Sequence, residues 1–344
     1  MASTVKVQDV IKYARSFPEL TPVFSDVSGW TQEPGLTIAN DVMQRFLAEG
    51  MNWKFNRALV APIITVPLQQ DYIGVVHYNV GGPITDLSWL EHGQWVDINN
   101  TSIPKPMRDL EVERDIAPTS YQGLPFKASW IPMALAQMGT WAPSTPYRTG
   151  LGNVNGVIAP AGTLQSTLIQ QFVDVHGNFL FVSQSGTTGS ISGSVQPDAG
   201  AGATPGTVVD DGTSTPQLQW TVADPTAAAI RVWPLPPVAG IVWCVNVVYQ
   251  KKPPILISLQ QTFDPIPDEY QHLIRQGFIA KCKDHASPGS RAAMAANESW
   301  EKALMATLRS GDREQQNEII YPSEGIMAGG PFSVPIGPAW PFRY

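Results

Sequence analysis

Val7, Val10, Ile11 and Ala14 recur at i, i+3, i+4 and i+7, the spacing of one face of a helix, and Pro18 and Pro22 end it. A second helix is expected from about Ile38 to Glu49, with Val42, Met43, Phe46 and Leu47 on one face and Gly50 where a left-handed cap is common. From Trp53 to Ile116 the period changes. "APIITVPLQQDYIGVV", "GQWVDINN" and "RDLEVERDIA" are short β-branched and aromatic runs punctuated by Gly, Pro and Asn, which predict strands and turns. In the last of these, Leu110 and Val112 alternate with Glu111, Glu113 and Asp115, and we read the three carboxylates as a solvated strand face rather than a metal or acid/base site. The strand signal continues in "LPFKASWIPMALAQMGTWAPST" and in "AAAIRVWPLPPVAGIVWCVNVVYQKKPP", where Ile241 to Tyr249 is apolar enough for a buried strand. After Pro267 the helical period returns. Tyr270, Leu273, Ile274, Gly277, Phe278 and Cys282 share one side, and Ala293, Ala296, Trp300, Ala303, Leu304 and Leu308 mark another helix that Gly311 can close.

Residues 174 to 220 interrupt this pattern, since no Lys or Arg occurs between Arg148 and Arg231. Val173, Val175, Phe179 and Phe181 have strand spacing around the turn "HGN", and "DGT" precedes the strand-like "LQW". A disordered linker seldom carries Phe172, Phe179, Leu180, Phe181 and Trp220, so a small inserted β-sandwich is expected, with "SGSVQPDAGAGATPG" as its flexible loop. The last segment places Pro331, Pro335, Pro338 and Pro341 among Phe332, Ile336, Trp340, Phe342 and Tyr344, which excludes a regular helix and predicts an extended arm that docks on a neighbouring chain. The fold class expected is α+β: terminal α-helices packed together around a central antiparallel β-sandwich, with a small inserted all-β module and an extended C-terminal arm. The domains expected are N-terminal helices in 1–52, a sandwich from 53–165 and 223–262, the inserted module in 166–222, a helix pair in 263–312 and the arm in 313–344.

Composition sharpens the functional side. A chain of 344 residues can bury a large core, and its 31 prolines and 29 glycines fit many turns and short strands. A net charge of -7 argues against a surface that grips nucleic acid by neutralising phosphates. Cys244 and Cys282 read as two separate buried thiols in a reducing cytosol, and no run of roughly 18 apolar residues predicts a membrane span.

No nucleophile elbow, phosphate loop or zinc-protease helix motif occurs, and "GLGNVNG" lacks the glycine spacing of a dinucleotide fingerprint. His272, Cys282 and His285 are the best metal candidates, but His272 stands nearly three turns from the others, and a structural zinc needs four convergent ligands. Asp264, Asp268 and Glu269 are expected to cap the helix that starts near Pro267. Trp130, Trp141, Trp233 and Trp243 read as core or interface anchors. No catalytic residue, metal or cofactor is expected.

"GNFLFVSQSGTTGS", "GTVVDDGT" and "LQW" together resemble an Ig-like or carbohydrate-binding-like module of tailed-phage structural proteins, although "DGTSTPQLQW" is longer than that module's usual interval. "IRVWPLPPVAGIVWCVNVVYQKKPPIL", "PIPDEYQHLIRQGFIAKCKDHASPGS" and "WEKAL" resemble the head-to-tail adaptor, or connector, proteins of tailed phages. Tyr249, Lys251, Pro253, Pro254, Pro265, Pro267, Glu269 and Tyr270 carry that likeness, with Gly277 at the small position. The resemblance implies a structural, non-enzymatic virion protein made in the bacterial cytoplasm: a homo-oligomeric ring of twelve copies joining portal protein to a tail or nozzle protein. Double-stranded DNA would pass through it without sequence-specific binding. On this reading Phe332, Ile336, Trp340, Phe342 and Tyr344 contact the portal, and Tyr270, Arg275 and Trp300 lie at the ring interface. The alternative is a tail decoration or receptor-binding component that uses Phe179, Phe181 and Trp220 on host glycans.

Overall fold

The protein is described by a computed structural model over residues 3–24, 33–78, 81–97, 105–106, 122–123, 126–144, 146–147, 171–184, 186–187, 196–211, 217–236 and 243–318. These residues form two compact units, one drawn from 1–56 and 253–344 and one from 57–252.

The first unit is helical. Helix α1 (Val7–Arg15) buries Val7, Val10, Ile11 and Ala14, and α2 (Gly35–Phe46) buries Leu36, Ile38, Ala39, Val42, Met43 and Phe46. The first amides of α1 have no side-chain cap. Val7 and Gln8 N–H instead donate to the carbonyls of Gln261 and Leu259, each at 3.0 Å, so the chain's return stretch satisfies them. Helix α3 (Gln271–Ala286) and α4 (Arg291–Glu318) form a hairpin whose turn uses Gly289 at φ +69°. Ser290 opens α4 by accepting the Ala293 N–H on its Oγ at 3.2 Å. Gly277 lies directly beneath the Trp300 indole, which is why a residue without a side chain stands in the middle of a helix. Phe46, Trp53, Phe55 and Tyr270 form an aromatic cluster, with Phe46 and Trp53 stacked at 5.0 Å and Trp53 and Tyr270 at 5.4 Å. Helix α4 runs past Gly311, so the expected stop there is corrected. A single Gly costs only about 1 kcal/mol in a helix and ends one only where the chain can turn.

The described residues of the second unit are built of strands, with one short helical turn at Met133–Leu135. Its strands are β1 (Arg57–Leu59), β2 (Ile63–Ile64), β3 (Asp71–Tyr72), β4 (Leu87–Asp97), β5 (Lys105–Pro106), β6 (Lys127–Pro132), β7 (Pro146–Tyr147), β8 (Gln171–Val173), β9 (Phe179–Gln184), β10 (Gly186–Thr187), β11 (Val208–Asp211), β12 (Leu218–Val222), β13 (Ala228–Trp233) and β14 (Trp243–Lys251). All their pairings are antiparallel. One sheet runs β1-β14-β4-β5 with β2 also on β14, a second β3-β13-β6, a third β11-β12-β9-β8, and β7 pairs β10. Along β14, buried Trp243, Val245, Val247 and Tyr249 alternate with half-buried Cys244, Asn246 and Val248, the period of a strand with one face on a core. That core lies between the first two sheets and includes Val60, Tyr72, Leu90, Trp95, Ile230 and Val232.

Strand β13 explains the remaining layer. Its residues from Ala228 to Val232 are all buried: Ile230 and Val232 face the core just described, while Ala229 joins Ile73, Ile131 and Met133 in another, against which Phe179 and Phe181 of β9 pack. The four-stranded sheet therefore rests on the back of the three-stranded one, with a further core of its own around Phe172, Leu180, Leu218 and Trp220. The expected α+β plan of terminal helices packed around a central sandwich is overturned. Among the described residues fourteen strands stand against four α-helices, the strands are spread over stacked antiparallel sheets, and the α-helices close a core of their own. The physical reason is that β13 is buried on both faces and apolar apart from Arg231, a pattern that does not reveal how many layers a strand separates.

The stretch expected to be a flexible loop is pinned where it is described. Asp174, 5% exposed, accepts the N–H groups of His176 and Asn178 on Oδ1, and the Asn178 Nδ2 and Ala199 N–H on Oδ2. Gln196 Nε2 donates to the Val173 carbonyl at 3.1 Å, and Gly206 N–H to that of Val222 at 2.8 Å. Glu111, Glu113 and Asp115 lie outside the described residues.

Candidate interface groove

Three helices of the first unit leave a groove of about 480 Å³ between them. Helix α1 contributes Tyr13, α3 contributes Arg275, Gln276 and Ile279, and α4 contributes Ala296 and Ser299. The small residues of α4 keep the groove open, whereas one turn further on Trp300 turns inward and fills the gap over Gly277. Arg275 is half-buried, its guanidinium carbon 4.8 Å from the Tyr13 ring centroid, a cation–π arrangement. Its Nε is buried without a hydrogen-bond partner, and among the described residues no carboxylate forms an ion pair with it. Gln276 Nε2 donates to Ser299 Oγ at 3.3 Å on the rim. The groove thus presents a cation, amide and hydroxyl groups and an aromatic edge. It suits an acidic group with an apolar neighbour.

The residues expected at a ring interface fall in three settings. Arg275 is in the groove, Tyr270 belongs to the aromatic cluster with Trp53, and Trp300, 1% exposed, is core. The residues proposed for glycan contact are half-buried in Phe179 and Phe181, which pack on the alanine-rich core, while Trp220 is fully buried. The Trp220 ring meets Phe172 edge-on at 4.7 Å and its Nε1 donates to Asp211 Oδ2 at 3.1 Å, so neither face is open to stack on a sugar. Phe332, Ile336, Trp340, Phe342 and Tyr344 lie outside the described residues.

The capping role expected of Asp268 is corrected. The short helical turn at 268–270 and α3 have no side-chain cap, and Asp268 instead takes Thr4 N–H at 2.8 Å and Thr4 Oγ1 at 2.6 Å, with Ser3 Oγ at 3.3 Å. These bonds hold its carboxyl below the ordinary range and fasten the chain's first described residues. Burial pushes the Cys282 thiol up to about 12, which makes it a packing group rather than a nucleophile. Among the described residues no three His, Cys, Asp or Glu side chains converge on one point.

Three polar constellations in the β unit escaped the sequence reading. Asp71 and Arg231, directly opposed on β3 and β13, form a buried bidentate pair, Nε to Oδ1 at 2.7 Å and a terminal nitrogen to Oδ2 at 2.8 Å, and Gln137 N–H donates to the same carboxylate. The signal was available: Arg231 is a lone cation inside the apolar run "AAIRVW". Tyr249 Oη donates to Asp86 Oδ1 at 3.1 Å and lies 2.7 Å from His77 Nδ1. Burial, then the Asp86 charge, raises the Tyr249 pKa, so the phenol keeps its proton and pins the strand. Beside them Arg57, His92 and Gln250 converge on Glu91. Burial alone would raise its pKa, but hydrogen bonds from His92, Arg57 and Gln250 hold it down to about 2.

No helix among the described residues is long and apolar enough to cross a membrane. No curated protein and no solved structure matches the chain. The family model described as SU10 adaptor protein does match, over residues 111–322, a stretch that reaches from the β unit through α3 and α4. It spans more than half of the 344 residues, and the chain belongs to the SU10 adaptor protein family.

Proposed function

We propose that the protein is the ring that joins the portal of a tailed phage to its tail and lines the passage of the DNA. The observation that carries this reading is the family match, which supports a structural adaptor of the virion that contacts other head or tail proteins. The charge balance agrees with a conduit. Each phosphate neutralised by Lys or Arg adds salt-dependent affinity, and a chain with 22 basic and 29 acidic residues holds DNA weakly as it slides. The segment beyond α4, 319–344, with Phe332, Ile336, Trp340, Phe342 and Tyr344, is assigned to the portal, because a Pro-rich segment with five large apolar side chains needs a partner to cover them. Twelve copies and assembly in the host cytoplasm complete the proposal.

The test is to mix purified protein with portal rings and image the product by electron microscopy. Stacked portal–adaptor particles are expected from the full chain and none after deletion of residues 325–344. Intact stacking after that deletion refutes the arm, and failure of the full chain to associate refutes the adaptor ring.

A further inference from the structure

The groove between α1, α3 and α4 holds an arginine without the partner that its setting calls for. A half-buried guanidinium has given up part of its hydration, and stacking on Tyr13 replaces only some of it. Its Nε is buried and unbonded. Four described basic residues of the unit meet a carboxylate: Lys12 pairs with Asp9, Arg45 with Glu301, Lys283 with Glu19 and Lys302 with Glu298. Arg275 combines a buried, unbonded Nε and a ring contact with a groove in front of it.

We infer that this groove receives a carboxylate-bearing segment from a second copy of the chain, with Arg275 reading the charge and Tyr13 and Ile279 covering the neighbouring apolar atoms. The inference rests on the ring reading above and assigns one of its surfaces. Charge complementarity favours another copy as the occupant. The chain is net acidic, and Asp41 on α2 and Glu49 beyond its end are exposed and form no ion pair among the described residues. Copies of this chain therefore carry both the unpaired cation and unpaired carboxylates. A head-to-tail contact of that kind joins two different surfaces and does not stop at a dimer; where the rotation between copies closes, it builds a ring. A planar guanidinium already oriented by an aromatic ring also loses little freedom when it takes a carboxylate with two hydrogen bonds.

The experiment compares wild type, Arg275→Glu, Arg275→Lys and Ser299→Asp by light scattering after gel filtration, with circular dichroism to confirm folding. The wild type is expected to assemble. Arg275→Glu is expected to weaken assembly at least tenfold, Arg275→Lys to weaken it less, and Ser299→Asp, on the exposed rim, to weaken it through like-charge repulsion even if Arg275→Glu disturbs the fold. Folded Arg275→Glu and Ser299→Asp proteins that assemble as the wild type does overturn the groove inference and leave the ring standing. A wild type that stays monomeric, alone and with portal, sinks the ring reading itself. If the variants assemble normally but lose affinity for a DNA duplex in fluorescence anisotropy, the groove takes phosphate and the inference is overturned.

Discussion

Gly277→Ala tests how α3 and α4 are joined. The backbone of Gly277 is ordinary helix, so alanine fits its dihedral angles, and in an exposed helix the change would stabilise by about 1 kcal/mol. Here the new Cβ would overlap ring atoms Cε2 and Cζ2 of Trp300 and lie 2.8 Å from its Nε1. Trp300 is 1% exposed and cannot swing clear, so either the helices separate or the indole leaves its rotamer. Overpacking of this kind costs about 1–3 kcal/mol, and overlap with a rigid ring puts it near the upper end, for a net loss of about 2 kcal/mol after the gain in helix propensity. The assay is urea unfolding of the full chain followed by far-ultraviolet circular dichroism, with Trp300→Leu and the double variant completing a cycle. On the Trp300→Leu background the clash disappears, and Gly277→Ala should become neutral or stabilising, a coupling of about 2 kcal/mol or more. A higher midpoint for Gly277→Ala in the otherwise wild-type chain would refute the steric argument.

Three further expectations follow from the β unit. Asp71→Ala or Arg231→Ala leaves a buried charge uncompensated and should cost about 3–5 kcal/mol, whereas Asp71→Leu with Arg231→Met should recover most of the loss in thermal unfolding. Glu91 titrates at about 2 when folded against 4.5 when free, so its contribution is complete above about pH 4.5 and is lost as pH falls through about 2. Acid unfolding curves of Glu91→Gln should therefore be flatter over that window, and an unchanged slope would count against the hydrogen-bond account. Gly74 combines φ +68° with Phe181 ring atoms 2.5 Å or slightly more from a built Cβ, so Gly74→Ala should loosen the four-stranded sheet by about 2 kcal/mol and speed proteolysis within residues 196–211.

Local periodicity made several elements legible. The buried set of α1, the alternation of β14 and the apolar sides of α3 and α4 stand in the sequence because each is set by residues a few positions apart. What stayed hidden depends on distant partners. Arg231 meets Asp71 across 160 positions, and nothing near either residue names the other. Asp268, next to a helix start, serves Thr4 instead of the helix, because a carboxylate bonds to whichever amides the tertiary fold brings closest. The layer count was illegible for the same reason, since a strand such as β13, buried on both sides, does not record what covers each face. Arg275 was named for an interface on a resemblance alone, and its place in a groove depends on α1 and α4 standing where they do.

The helical unit draws its members from segments on either side of residues 57–252 in the chain, and this sets an order on biosynthesis. Helices α1 and α2 leave the ribosome well before α3, and at about 5–20 residues per second the interval is roughly 10 to 50 s. During that time Val10, Ile11, Val42 and Phe46 have no α3 to cover them, while residues 57–252 already hold what they need to fold. The nascent protein therefore carries a sticky helical stretch until α3 is made, and host chaperones able to mask that stretch should govern how much of it is obtained in soluble form.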